Sequence, residues 1–148
     1  MSEAVFPGGH IAEDGEFAGW SYWQGDPFET RSGPFYTQRE EDGSFVCAFR
    51  AEERHMNGAG FMHGGCLLTF ADYALFSIAT DELAGDMAVT MNLSGDFLDS
   101  AQNGQLIEAR GEVTRAGGRT IYVRGLVTAD GKSVLSFTGI IAKVRRKG

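Results

Sequence analysis

The chain has 148 residues, 43% of them hydrophobic and 22% charged, with a net charge of −7. This suits one domain with a single core and excludes a disordered chain. The acidic balance argues against nucleic acid as the main partner. No apolar run approaches a membrane span, and the N-terminal residues lack a secretory pattern.

Residues 1–30 are acidic and aromatic (Phe17, Trp20, Tyr22, Trp23, Phe28). They read as an N-terminal extension with a short helix over residues 16–23, and residues 31–148 as the main domain. Residues 35–40 and 44–50 are expected to be strands around Glu41-Asp42-Gly43, whose Asp-Gly pair favours a hairpin. Residues 52–62 read as a loop ending in a Gly-rich turn. A helix is predicted from residue 64 to about residue 80, because Leu67, Leu68, Ala71, Leu75, Ile78 and Ala79 recur at helical spacing. Apolar side chains fill most of its circumference, so it should be buried nearly all round. Gly85 punctuates its end. Four strands are then predicted over residues 87–97, 105–115, 119–129 and 133–143. Gly117-Gly118 and Asp130-Gly131 make tight turns between the last three. The economical packing is α+β, a curved antiparallel sheet wrapped around one central helix.

Two cysteines, Cys47 and Cys66, lack metal-type or redox-motif spacing. They read as reduced thiols of a cytoplasmic protein, one in a strand and one in the helix. From Arg110 onward nine Lys and Arg face only Glu112 and Asp130. Such a basic zone suits a small polyanion carrying several phosphates, or simply a solvated strand face.

The densest chemistry lies in Asn57-Gly-Ala-Gly-Phe-Met-His63-Gly64-Gly65 and the following residues to Asp72. Glycines at a helix start cost stability, about 1 kcal/mol each relative to Ala. They also let a substrate oxygen approach free backbone N–H groups, as an oxyanion site requires. His63 can be the helix cap, can orient substrate or can satisfy the loop. Asp72 sits inside an unbroken apolar pattern, where a carboxylate needs a polar partner or a raised pKa. It is a candidate base or nucleophile, the competing reading being the cap of a second helix. Eight residues separate Asp72 from Gly64, about 12 Å of helix rise. One helix cannot bring both to one bond, so a shared site needs a second, antiparallel copy and a twofold dimer.

These residues resemble the hotdog-fold acyl-CoA thioesterases, in the branch like the phenylacetate-pathway enzymes. The resemblance rests on Asn57 six positions before His63, on His63-Gly64-Gly65, on Asp72, on Thr90 seven before Phe97, on Gly118-Arg119-Thr120 and on Thr138-Gly139. It covers residues 33 to 145 and implies hydrolysis of acyl-CoA to free acid and CoA. It implies that Gly64 N–H polarises the thioester carbonyl and that Asp72 of the facing subunit activates water or attacks directly. Asn57 and Thr90 would position the thioester or the water, His63 would shape the helix start and hold the substrate, and Gly65 would bind substrate. Gly118, Arg119 and Thr120 would follow the CoA, with Arg145 and Arg146 near phosphate. Phe76 is a candidate to line the acyl pocket, and Asn92, Ser94 and Asp96 would alter its shape. No metal or redox cofactor is implied, and the dimers would pair into homotetramers. The alternative is a hotdog protein that binds an acyl-thioester without turning it over.

Overall fold

The turn signals divide the chain into elements whose packing then fixes a single sheet. The computed structural model of the protein describes residues 3–144. In chain order it contains strands β1 (His10–Ile11) and β2 (Ser21–Tyr22), helix α1 (Pro27–Ser32), and strands β3 (Tyr36–Arg39) and β4 (Phe45–Arg50). Helices α2 (Gly64–Ile78) and α3 (Thr80–Leu83) follow, then strands β5 (Ala88–Phe97), β6 (Leu106–Ala116), β7 (Thr120–Ala129) and β8 (Lys132–Lys143). All strand pairs are antiparallel, in the order β1-β2-β3-β4-β6-β7-β8-β5. The sheet curves around α2, the hotdog arrangement, and β5 forms one of its edges.

The β7–β8 turn shows how local chemistry sets register. Asp130 and Gly131 both have positive φ, 47° and 86°. That geometry matches the right-handed twist of the strands it joins.

Helix α2 buries Leu67, Phe70, Ala71, Ala74, Leu75 and Ile78 against the concave face of the sheet. Each large side chain removed from water contributes roughly 1.5–3 kcal/mol. Gly139 of β8 admits the helix, since a Cβ there would lie 2.4 Å from the Leu75 side chain. A buried polar knot fastens the other flank. Thr37 Oγ1 lies 2.6 Å from Tyr73 Oη, 2.9 Å from Ser77 Oγ and 3.6 Å from Cys47 Sγ. Among the described residues, no helix is long and apolar enough to cross a membrane.

Residues 16–23, expected to be a helix, instead form a turn and β2. Gly15 and Gly19 adopt φ of 82° and 89°, which breaks helical continuity. The aromatic residues there pack on the sheet, with Phe17 stacked on Tyr36 at 4.6 Å between ring centroids. The N-terminal segment thereby extends the sheet through β1 and β2. Helix α1, which had no counterpart in the predicted elements, follows. Asp26 caps it by accepting the Glu29 N–H, and Pro27 begins it, both favourable at a helix start.

One irregularity in β5 positions side chains for the site. Thr90 pairs with Ile141 but Asn92 pairs with Ile140, so Met91 is bulged. Beyond the bulge, Leu93, Gly95 and Phe97 oppose Gly139, Phe137 and Leu135. Because Ile141, Gly139, Phe137 and Leu135 all face the core, Thr90 and Phe97 share the helix-facing side. Asn92, Ser94 and Asp96 oppose Ile140, Thr138 and Ser136 and therefore point to the convex face, away from any pocket beneath the sheet.

Candidate active site

The loop into α2 is anchored before the helix begins. His55 is buried, its Nδ1 accepts the Glu52 N–H at 3.0 Å, and its Nε2 lies 2.8 Å from the Ser32 carbonyl at the end of α1. The Arg54 guanidinium donates to the carbonyls of Arg31, Ser32 and Gly33, satisfying that helix end. His63 N–H in turn donates to the His55 carbonyl at 2.9 Å. Residues 53–55 thus hold the end of α1 and the start of α2 together.

Asn57 shapes the Gly-rich turn. Its Oδ1 accepts N–H groups from Ala59 (2.9 Å) and Phe61 (3.1 Å), which leaves its amide nitrogen for other partners. His63 is the N-cap of α2, and its Nδ1 accepts the Gly65 N–H at 2.8 Å. The Cys66 and Leu67 N–H groups both donate to the His63 carbonyl. Of the first four helix donors, Gly64 N–H alone has no acceptor among the described residues. Phe97 approaches Gly64 from β5, its ring 3.1 Å from where a Cβ would stand. The Gly65 N–H is thus engaged in the cap.

Asp72 lies within α2 and caps nothing, so the competing second-helix reading fails. Thr90 Oγ1 donates to Asp72 Oδ1 at 2.5 Å. Burial pushes the Asp72 carboxyl above its usual range; the Thr90 hydroxyl opposes the rise and the Asp26 carboxylate adds to it. Phe76, one helical turn on, lines the same cavity of about 470 Å³. Burial pushes the thiols of Cys47 and Cys66 up to about 11, so neither is a ready nucleophile near neutrality.

Within one protomer the two halves stand apart. Asp72 with Thr90 marks one end of the crossing between α2 and β5, and Gly64 with Phe97 marks the other. Gly118, Arg119 and Thr120 lie at the Asp72 end of the sheet, since Thr120 pairs with Ala142 and Ala88 with the adjoining Lys143. Arg119 donates to the Lys143 carbonyl at 3.3 Å. Arg145 and Arg146 lie outside the described residues.

Glu29 had no place among the expected site residues. It comes from α1, in the segment before the motif, and lines the Asp72 cavity. Burial, then the carboxylates of Asp26 and Asp72, push it up to about 7. The signal that could have found its helix is Asp26-Pro27 followed by Glu29, an acidic cap with Pro at the first position and Glu at the third.

Residues 59–136 match the thioesterase superfamily. A Pseudomonas aeruginosa protein named as a candidate esterase is 30% identical over 109 residues, 73% of this chain and 81% of that protein. A Bacillus halodurans protein solved with CoA superposes with a TM-score of 0.69 at 27% identity, covering 75% of this chain and 74% of the other. A variant of the phenylacetic acid degradation protein PaaI from Thermus thermophilus gives a TM-score of 0.64 at 27% identity, covering 80% of this chain and 100% of the other. With its antiparallel sheet wrapped on α2, the chain belongs to the hotdog-fold thioesterase superfamily, in the PaaI-like branch.

Proposed function

We propose that the protein hydrolyses acyl-CoA thioesters to free acid and CoA, each site being shared by two protomers. The observation that carries this reading is the single open donor at the start of α2. His63 occupies Gly65 N–H and leaves Gly64 N–H to polarise the thioester carbonyl. A carboxylate is needed opposite it, and Asp72 is half-buried, poised by Thr90 and otherwise without a structural task.

Edge strand β5 supports a dimer as the working unit. Among the described residues it spans ten positions without a partner on its outer side, and it and the residue before it expose Met87, Val89, Met91 and Phe97. A long apolar edge favours pairing with another strand. A twofold axis across β5 would set Asp72 and Thr90 of one copy against Gly64 and Phe97 of the other. Pairing of two such dimers gives the tetramer expected from the resemblance.

In this mechanism Asp72 takes a proton from water as the water oxygen bonds to the carbonyl carbon. The resulting oxyanion is held by Gly64 N–H. Collapse breaks the C–S bond, and the thiolate leaves to become the CoA thiol. Direct attack by Asp72, with water hydrolysing the resulting anhydride, uses the same geometry. Asn57 offers its free amide nitrogen, and His63 with Gly65 fixes the helix start. Arg119 and its neighbours, with the basic residues toward the C-terminus including Arg145, suit the CoA phosphates.

Release of CoA thiol from a panel of acyl-CoAs tests this reading with D72N and G64P. Proline is tolerated at a first helical position and lacks an N–H. Each variant alone should lose ~10²–10³-fold in kcat. Mixing the two should restore hydrolysis, because one site in each mixed dimer then keeps both groups. Full turnover in D72N, or CoA binding with no hydrolysis by the unaltered protein, refutes the reading and favours a binder.

A further inference from the structure

The cavity beside Asp72 is built by three parts of the chain. Asp72 and Phe76 come from α2, Met87 and Thr90 from β5 and the residues before it, and Phe6, Trp23 and Glu29 from the N-terminal segment. That last wall lies outside the residues that match the family. The cavity's charge is one-sided. Among the described residues its lining includes the carboxylates of Asp26, Glu29, Asp72 and Asp86, and no Lys or Arg. Asp86 is offset by Lys143 Nζ at 3.4 Å. Asp72 holds the Thr90 hydroxyl, and Asp26 holds the Glu29 N–H. No donor among the described residues reaches the Glu29 carboxyl, although burial and its two acidic neighbours push it up to about 7.

We propose that Glu29 is a specificity-determining residue, and that with Asp26 it makes the enzyme select thioesters of uncharged acyl groups over those ending in a carboxylate. The inference rests on the reading that Asp72 serves thioester hydrolysis in this cavity. A neutral, largely apolar acyl group fits against Trp23, Phe76 and Met87. An acyl group with a terminal carboxylate would meet like charge in a half-buried space whose lining, among the described residues, holds no cation. Specificity of this kind comes from disfavouring the wrong ligand rather than from a new attraction to the right one. The CoA portion does not suffer the same repulsion, because basic residues such as Arg119 lie at the same end of the sheet but outside the lining.

The test compares kcat/KM for hexanoyl-CoA and adipyl-CoA, which share chain length and differ in a terminal carboxylate. Assays at pH 8 keep Glu29 largely ionised. The unaltered protein is compared with E29Q, E29A, D26N and D72N. E29Q keeps the shape of the side chain, and D26N keeps a side chain able to cap α1. The unaltered protein should prefer hexanoyl-CoA by about a hundredfold or more, and E29Q should narrow that ratio about tenfold. D26N should narrow it less, because Asp26 is exposed. An unchanged ratio in both E29Q and E29A, while D72N has lost hydrolysis, overturns the role of Glu29 and leaves that of Asp72 standing. Full hydrolysis of both substrates by D72N instead removes the underlying reading, and this inference with it.

Discussion

Glu29 gives a stability prediction that needs no substrate. Its carboxyl moves from 4.5 in the open chain to about 7 in the fold, chiefly through burial and then through Asp26 and Asp72. A raised folded value means that the protonated form is the stabilised one. Below pH 4.5 both states hold the proton and folding loses nothing. Between 4.5 and about 7 the unfolded chain releases its proton while the folded protein keeps it, so stability falls as pH rises. At 1.36 kcal/mol per pH unit the full displacement corresponds to ~3.4 kcal/mol. Partial solvent contact at Glu29 reduces this to about 2 kcal/mol. E29Q abolishes the effect, since glutamine does not titrate. Thermal melts of E29Q and the unaltered protein should nearly coincide at pH 4.5 and diverge by about 4–8 °C at pH 8, with E29Q the more stable. Asp26 and Asp72 are present in both proteins, so the difference reads Glu29 together with its repulsion by those two carboxylates. A difference that stays constant from pH 4.5 to 8 would refute the electrostatic account.

Four other perturbations read other parts of the structure. T90V removes the donor to Asp72, so the carboxyl should rise further and the acid limb of kcat/KM should move up by about 1 pH unit or less. T37V leaves the buried hydroxyls of Tyr73 and Ser77 short of a partner, and should lower stability by about 1–3 kcal/mol in urea titration without changing the m-value. G139A forces a methyl group into the Leu75 side chain, with an expected loss of ~1–3 kcal/mol by the same measurement. M91K places a charge on the exposed β5 edge, so light scattering should show a shift toward monomer and thiol release should fall with it.

Much of this arrangement was legible in the sequence because the determinants are local. Apolar spacing from Leu67 to Ile78 announces a buried helix, and Asp130-Gly131 announces a tight turn. His63, Gly64, Gly65 and Asp72 stand out because each is a poor choice for packing alone. The Thr90–Asp72 hydrogen bond could not be read the same way. Simple alternation places Thr90 and Phe97 on opposite faces, and the bulge at Met91 reverses that relation through pairing with β8. The helix expected over residues 16–23 failed because aromatic residues spaced for a helix were spent on sheet packing, with glycines turning the chain between them. Glu29 escaped notice because its meaning depends on a fold-back that sets residues 26–29 beside residue 72.

The Met91 bulge also makes β5 unequally tolerant of changes in length. Deleting Met91 would leave neighbours Thr90 and Asn92 opposite Ile141 and Ile140 in an ordinary ladder, with the hydroxyl and the ring of Phe97 still inward. Deleting Leu93 instead would keep Thr90 and Phe97 inward only if the bulge is taken up, and Asn92 would then turn inward opposite Gly139 in place of Leu93. The strand therefore has a frame, and its slack lies at the bulge, where a residue can be lost without putting a polar side chain against the helix.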